Sequence, residues 1–150
     1  MSKVLLLDFD GVLTDGTKIY DLDGKVMAKA VNDRDRLAVI QLMREGWRII
    51  VVSGDARCNK GVIEDLGAEF VYARGGDKLS IVSEMPIDKT QTYFIADDIR
   101  DVPVMKMLSK PHSFCPKDCV PSVKKFAKII NCLSGKGVVS WWRDQYAGKL

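Results

Sequence analysis

Two clusters of carboxylates, one serine and one lysine carry most of the chemistry this sequence offers. The first cluster is Asp8-Phe9-Asp10-Gly11, in which two acids flank a bulky residue and a glycine follows. The second is Asp97-Asp98, with Asp101 three residues on. Neighbouring carboxylates repel one another, so they stay ionised together only when a cation is present. A hard cation such as Mg²⁺ takes one or two carboxylates and leaves its other positions to water and phosphate. A lone Asp at a strand end is more simply a cap for the next helix, but two acidic clusters at two strand ends weaken that explanation. Ser53-Gly54 offers a hydroxyl and a backbone N–H to a phosphoryl oxygen, although alone it reads as a turn. Lys78 follows Gly75-Gly76-Asp77 and opens a helix, from which its ammonium can reach the same phosphate; alone it is a surface lysine.

The hydropathy pattern sets these residues at the ends of strands. Residues 3–8 (KVLLLD) form a nearly unbroken apolar run, as in a strand buried on both faces. Residues 17–31 alternate about Asp23-Gly24 and predict a β-hairpin. Helical spacing follows over 35–45 and ends at Gly46. A second buried strand spans 47–53, a helix 56–66, a short strand 70–72, and a helix 78–84. Residues 92–96 read as a fourth strand, 102–108 as a helix and 110–115 as a fifth strand. A helix around 120–126 and a last strand around 128–133 complete the pattern. The tail, about 134–150, is either helical from Val138 or reaches toward a neighbouring subunit. Strands alternating with helices at this pitch predict an α/β fold with a mainly parallel sheet. Ligands in such sheets bind beyond the carboxyl ends of the strands, where strand order reverses. Asp8, Ser53 and Asp97 occupy those ends.

Bulk properties narrow the partners. At 150 residues, with 47% hydrophobic and 29% charged side chains, the chain has the size and composition of one globular domain, residues 1–150. The net charge of +3 is carried by the second half, in Lys117, Lys124, Lys125, Lys128 and Lys136 among others. No nucleic-acid-reading motif accompanies that basic region, so it reads as a solvated face and is compatible with an anionic small substrate. The four cysteines form no zinc pattern. No apolar run approaches the length of a membrane span and no signal-peptide pattern is present, so the expected location is the cytoplasm, with reduced thiols and no membrane partner.

Taken in order, Asp8-Phe9-Asp10-Gly11, Ser53, Lys78, and Asp97-Asp98 with Asp101 resemble the four motifs of the haloacid dehalogenase (HAD) superfamily of phosphatases. The longer strings DFDGVLTDG (8–16) and DIRDVPVM (98–105) are similar to its 3-deoxy-D-manno-octulosonate 8-phosphate (KDO 8-phosphate) phosphatase branch. The resemblance implies a Rossmann-like sheet flanked by helices, with the 17–31 hairpin as a flap. Between Asp10 and Ser53 the hairpin and one helix use the available chain, and between Ser53 and Lys78 one helix and one strand do, so neither gap has room for a cap domain. Capless members imply a homotetramer, with the hairpin as contact element.

By the same resemblance Asp8 attacks phosphorus and becomes an aspartyl-phosphate, and Asp10 protonates the leaving oxygen and then activates water. Mg²⁺ is expected on the Asp8 carboxylate, the Asp10 backbone carbonyl and Asp97. Ser53 and Lys78 are expected on the equatorial oxygens, and Asp101 on Lys78 or a water at the metal. Gly11, Thr14, Gly54 and Arg34 are the expected substrate contacts, while the role of Asp98 stays open. The implied substrate is a phosphorylated sugar acid such as KDO 8-phosphate or a related nonulosonate phosphate. Departures from the branch pattern lie at Ala96, at Asp55 after Ser53-Gly54, at Arg36, and in Gly135-Lys136-Gly137-Val138. A nucleotidase or broad phosphatase on the same scaffold is one alternative. A phospho-aspartate signalling domain is another, although Asp10 has no purpose there. Trp141-Trp142 invites stacking on a ligand, with packing the plainer role, and His112 reads as structural.

Overall fold

The computed structural model describes residues 2–150. Strand β1 (Val4–Leu7) is buried at every position and runs parallel to β4 (Arg48–Ser53) on one side and β6 (Thr92–Ile95) on the other. With both edges paired and both faces covered, it has no position that tolerates a polar side chain, which is why its sequence does not alternate. The full sheet has the order β5-β4-β1-β6-β7-β8 and is parallel throughout, with β5 (Glu69–Tyr72), β7 (Ser113–Pro116) and β8 (Lys128–Ile130) completing it. The chain winds outward from β1 through β4 to β5, then returns to the far side of β1 at β6. The strand order therefore reverses at β1.

Side chains of β1 divide between two cores by the period-two rule. Leu5 and Leu7 pack with Val39 and Leu42 of α1 (Asp33–Arg44), Ile63 of α2 (Asn59–Leu66), and Val138, Val139 and Trp142 of α5 (Val138–Gln145). Val4 and Leu6 pack on the opposite face with Val82 of α3 (Lys78–Glu84) and Val104 and Met105 of α4 (Val102–Leu108). Helix α1 opens with Asn32, whose side chain accepts the Arg34 N–H at 2.9 Å, a cap that starts the helix two residues before the predicted 35.

The segment between β1 and α1 carries a small separate sheet, β2 (Ile19–Tyr20) with β3 (Val26–Ala28), shorter than the predicted 17–31 hairpin but centred on the same Asp23-Gly24 turn. Four other elements differ from expectation in type or by more than one residue. Residues 110–112 form a 3-10 turn rather than strand, because Pro111 has no N–H to give a ladder, and β7 begins at Ser113. His112 sits in that turn, its Nδ1 2.9 Å from the Thr92 carbonyl and its ring stacked on Tyr93. Residues 121–126 are 3-10 and not α-helical, starting at Pro121. Helix α2 starts at Asn59 and not at 56, since Cys58 takes a positive φ of 65° that no α-helix can include. β8 stops at Ile130, where the chain turns. The tail is helical and lies against α1 of its own chain. Trp142 is fully buried, in edge-on contact with Trp47 and Phe114, so its role is packing.

Candidate active site

The carboxyl ends of β1, β4 and β6 open into a cleft of about 510 Å³. Asp8 is the first residue beyond β1, and its backbone N–H still bonds the Ile95 carbonyl of β6 at 3.0 Å. Sheet pairing thus fixes the Asp8 backbone up to the point where its side chain leaves the strand. Its Oδ1 accepts the Phe9 N–H and lies 2.9 Å from Lys78 Nζ. Lys78 stands at the first position of α3, buried, and donates 2.7 Å to Asp101 Oδ1 as well. Asp101 Oδ2 in turn accepts the Asp98 N–H at 3.1 Å. One ammonium is therefore held between two buried carboxylates, and burial, which disfavours it, is outweighed by Asp8 and Asp101, so its pKa rises.

Asp97, beyond β6, brings a third carboxylate. One oxygen from each of Asp8, Asp97 and Asp101 can be chosen so that all lie within 4.8 Å of one another. Burial, then the neighbouring Asp101 and Asp98 charges, pushes Asp97 up to about 6, and burial with the Asp101 charge raises Asp8 well above the usual carboxylate range. Three crowded acids with one lysine are short of positive charge, which is the condition that a hard divalent cation with oxygen ligands relieves. Gly11, with φ of +83°, lies directly against the Asp97 carboxylate; a Cβ there would overlap it. Glycine is required at that position on both counts.

The Asp10 side chain lines the same cleft but is held by a different set of groups. Its Oδ1 accepts Thr14 Oγ1 at 3.2 Å, and its Oδ2 accepts Lys29 Nζ at 2.9 Å and Asn59 Nδ2 at 3.1 Å. Asn59 also donates to Ser53 Oγ at 3.1 Å, which links the end of β4 to Asp10. Ser53, Gly54 and Gly11 line the cleft with Asp8, Asp10, Lys78, Asp97 and Asp101. Asp98 caps the turn Ile99–Asp101, accepting the Ile99 N–H at 2.6 Å. Thr14 is buried beneath Asp10, and Arg34 lies exposed on the first turn of α1, outside the cleft lining.

Sequence reasoning missed Lys29, Asn59, Lys18, Arg57 and Arg100. The last three line the cleft, and Arg57 binds Asp55 Oδ1 at 2.9 Å. Burial works against the Asp55 charge, yet hydrogen bonds from Arg57 and Lys29 hold its carboxyl well below the usual range. The Asp55 departure from the branch pattern is thereby matched by local cations. Lys29 carried no sequence signal beyond its place in the hairpin segment.

A parallel sheet with acids at the ends of β1 and β6, a serine at β4 and a lysine opening the following helix defines a HAD-type phosphatase. No family model matches the chain. It is 30% identical over 141 residues to the 3-deoxy-D-manno-octulosonate 8-phosphate phosphatase KdsC of Haemophilus influenzae, covering 90% of this chain and 77% of that protein. The cobalt-bound form of the same organism's deoxy-D-mannose-octulosonate 8-phosphate phosphatase superposes with a TM-score of 0.84 at 29% identity, covering 95% of this chain and 85% of that one. The Moraxella catarrhalis 3-deoxy-D-manno-octulosonate 8-phosphate phosphatase, solved with magnesium, phosphate and KDO, shares the fold with a TM-score of 0.81 at 21% identity, over 93% and 82% of the two chains. The chain belongs to the KdsC family of HAD phosphatases.

Proposed function

We propose that the chain hydrolyses the phosphate monoester of a sugar acid, such as KDO 8-phosphate or a related nonulosonate phosphate, through an aspartyl-phosphate on Asp8. The observation that carries the reading is the Asp8 carboxylate at the cleft floor, fixed by Lys78 and crowded by Asp97. In the first step an Asp8 oxygen bonds to phosphorus as the bond from phosphorus to the sugar oxygen breaks, and Asp10 gives that oxygen its proton. In the second, water adds to phosphorus, its proton passes to Asp10, and the phosphorus–Asp8 bond breaks to release phosphate. Ser53 and Lys78 bind the equatorial oxygens as charge develops on them, and Asp101 keeps the Lys78 ammonium aimed at the cleft. Asp8, Asp97 and the Asp10 backbone carbonyl would hold Mg²⁺, whose chemistry is to neutralise phosphoryl charge and align the displacement. That a relative is known in a cobalt-bound form supports a divalent ion as the chain's cofactor.

Lys18, Arg57 and Arg100 line the cleft, paired with Asp55 or Asp98, and are the cations available to a second anionic group on the substrate. Ile19, Tyr20, Leu22 and Met27 leave the hairpin with exposed apolar surface, which supports its use as a subunit contact in a cytoplasmic homotetramer. Among the described residues no helix is long and apolar enough to cross a membrane. The test is phosphate release from a panel of phosphorylated sugar acids, sugars and nucleotides, with Mg²⁺ and with EDTA, for the wild type and Asp8→Asn. Mg²⁺-dependent turnover of sugar-acid phosphates that Asp8→Asn abolishes is the expected result. A preference for nucleotides would overturn the substrate, and an Asp8→Asn protein of wild-type activity would overturn the mechanism.

A further inference from the structure

Lys29, just past β3, has a side chain only 1% exposed, and its ammonium meets three acceptors: Asp10 Oδ2 at 2.9 Å, Asp55 Oδ2 at 3.1 Å and Asn59 Oδ1 at 2.8 Å. A lysine has three N–H donors, and all three are spent here. It does not line the cleft and has no donor left for a phosphoryl oxygen. Its stem passes the Phe9 ring, with Nζ 5.7 Å from the ring centre. A buried ammonium is tolerated only when paired and fully hydrogen-bonded, and this one is.

The acceptors belong to different parts of the catalytic end. Asp10 follows β1, Asp55 follows β4, and Asn59 opens α2. Asn59 completes the loop by donating one N–H to Asp10 and the other to Ser53. Asp10 Oδ2 therefore has its direction set by Lys29 and Asn59 together, and Oδ1 by Thr14. If Asp10 moves a proton to and from the reacting oxygen, the group that fixes its carboxylate decides how well that proton is placed. General acid–base catalysis depends steeply on such placement.

Resting on the aspartyl-phosphate reading above, we infer that Lys29 is a positioning residue for Asp10, through which the β2–β3 flap controls the proton-transfer part of the reaction. The flap and the acid–base group then form one mechanical unit: a displaced flap withdraws Lys29 and frees Asp10. Asp8 itself lies outside this network, held by the Phe9 N–H and Lys78.

The experiment compares kcat/KM in Mg²⁺ for aryl phosphates whose leaving groups run from p-nitrophenol to phenol. It uses the wild type, Lys29→Met, Asp10→Asn and the double variant, with thermal melts on each. A p-nitrophenolate departs with little help from a proton, whereas phenol needs one. Lys29→Met is expected to lose about tenfold or more on phenyl phosphate relative to its loss on p-nitrophenyl phosphate. In the Asp10→Asn background the same change should cost no more than about twofold further, because its target is already gone. An equal loss across all leaving groups in a folded Lys29→Met protein, or full additivity with Asp10→Asn, overturns the inference. If Lys29→Met does not fold, Lys29→Gln is read by the same criteria. A wild type inactive toward every ester would instead remove the function reading on which the inference stands.

Discussion

At the scale of single residues, the site is governed by where carboxylates are allowed to crowd. Asp8, Asp97 and Asp101 approach one another because Lys78 balances two of them and Gly11 leaves room for the third. Gly11→Ala puts a methyl group into the space of the Asp97 carboxylate and forces an L-residue to a φ of +83°. Displacing that carboxylate by about 1 Å is enough to cost on the order of 100-fold in kcat/KM. Steady-state kinetics across a Mg²⁺ titration would show it, and wild-type kinetics at low Mg²⁺ would contradict the account. The residues at strand ends were legible in the sequence, because an apolar run that stops at an acid reveals both the strand and its end. Lys29 and Asn59 were not. A lysine in an alternating hairpin segment is ordinarily solvated, and only the fold shows that Asp10, Asp55 and Asn59 converge on it.

At the scale of elements, α1 and α5 are joined by a contact between residues more than 100 positions apart. Asp35 Oδ1 accepts the Val139 and Ser140 N–H groups at 2.9 and 3.0 Å, while its Oδ2 is buried without a partner. It faces the open N–H groups at the start of α5 and the Cys132 thiol. Burial pushes Asp35 up to about 6 despite those backbone bonds. The folded protein thus keeps a proton on Asp35 that the unfolded chain gives up near its ordinary pKa of about 4. The contribution of Asp35 to stability is full below about pH 4, falls as pH rises toward about 6, and is level above that; the loss is roughly 3 kcal/mol. Asp35→Asn has no such proton to lose. Urea unfolding at acid and neutral pH should show the wild type losing stability relative to Asp35→Asn by roughly that amount, and parallel profiles would refute the assignment. The sequence showed α1 and a helical option for the tail, but not this bond, because a carboxylate at helical spacing has no local mark of what caps it. The 3-10 turns are hidden for a similar reason: Pro111 and Pro121 stand in short stretches whose other residues suit regular elements.

At the scale of the whole molecule, the sheet gathers carboxylates from the ends of β1 and β6 into one place, so an ion bound there would link distant parts of the chain. Mg²⁺ at about 100 times its dissociation constant should add about 2.7 kcal/mol to stability. For a chain of this size that is a rise of roughly 5–10 °C in Tm. Asp97→Asn should abolish the rise, whereas Asp10→Asn should keep it, because the Asp10 side chain is held by Lys29 and Asn59 rather than by the groups of the acidic cluster. Differential scanning calorimetry with and without Mg²⁺ decides this, and a lost shift in Asp10→Asn would place its carboxylate among the ligands. The central position of β1 has a further consequence during synthesis. β1 leaves the ribosome before either of its neighbours, β4 and β6, exists. At about 5–20 residues per second, roughly 4–18 s separate Leu7 from Ile95. Until Ser53 is made, both edges of this most apolar strand lack a partner, and the edge that pairs with β6 stays open until Ile95. During translation the chain thus carries an open apolar edge that the finished sheet no longer has.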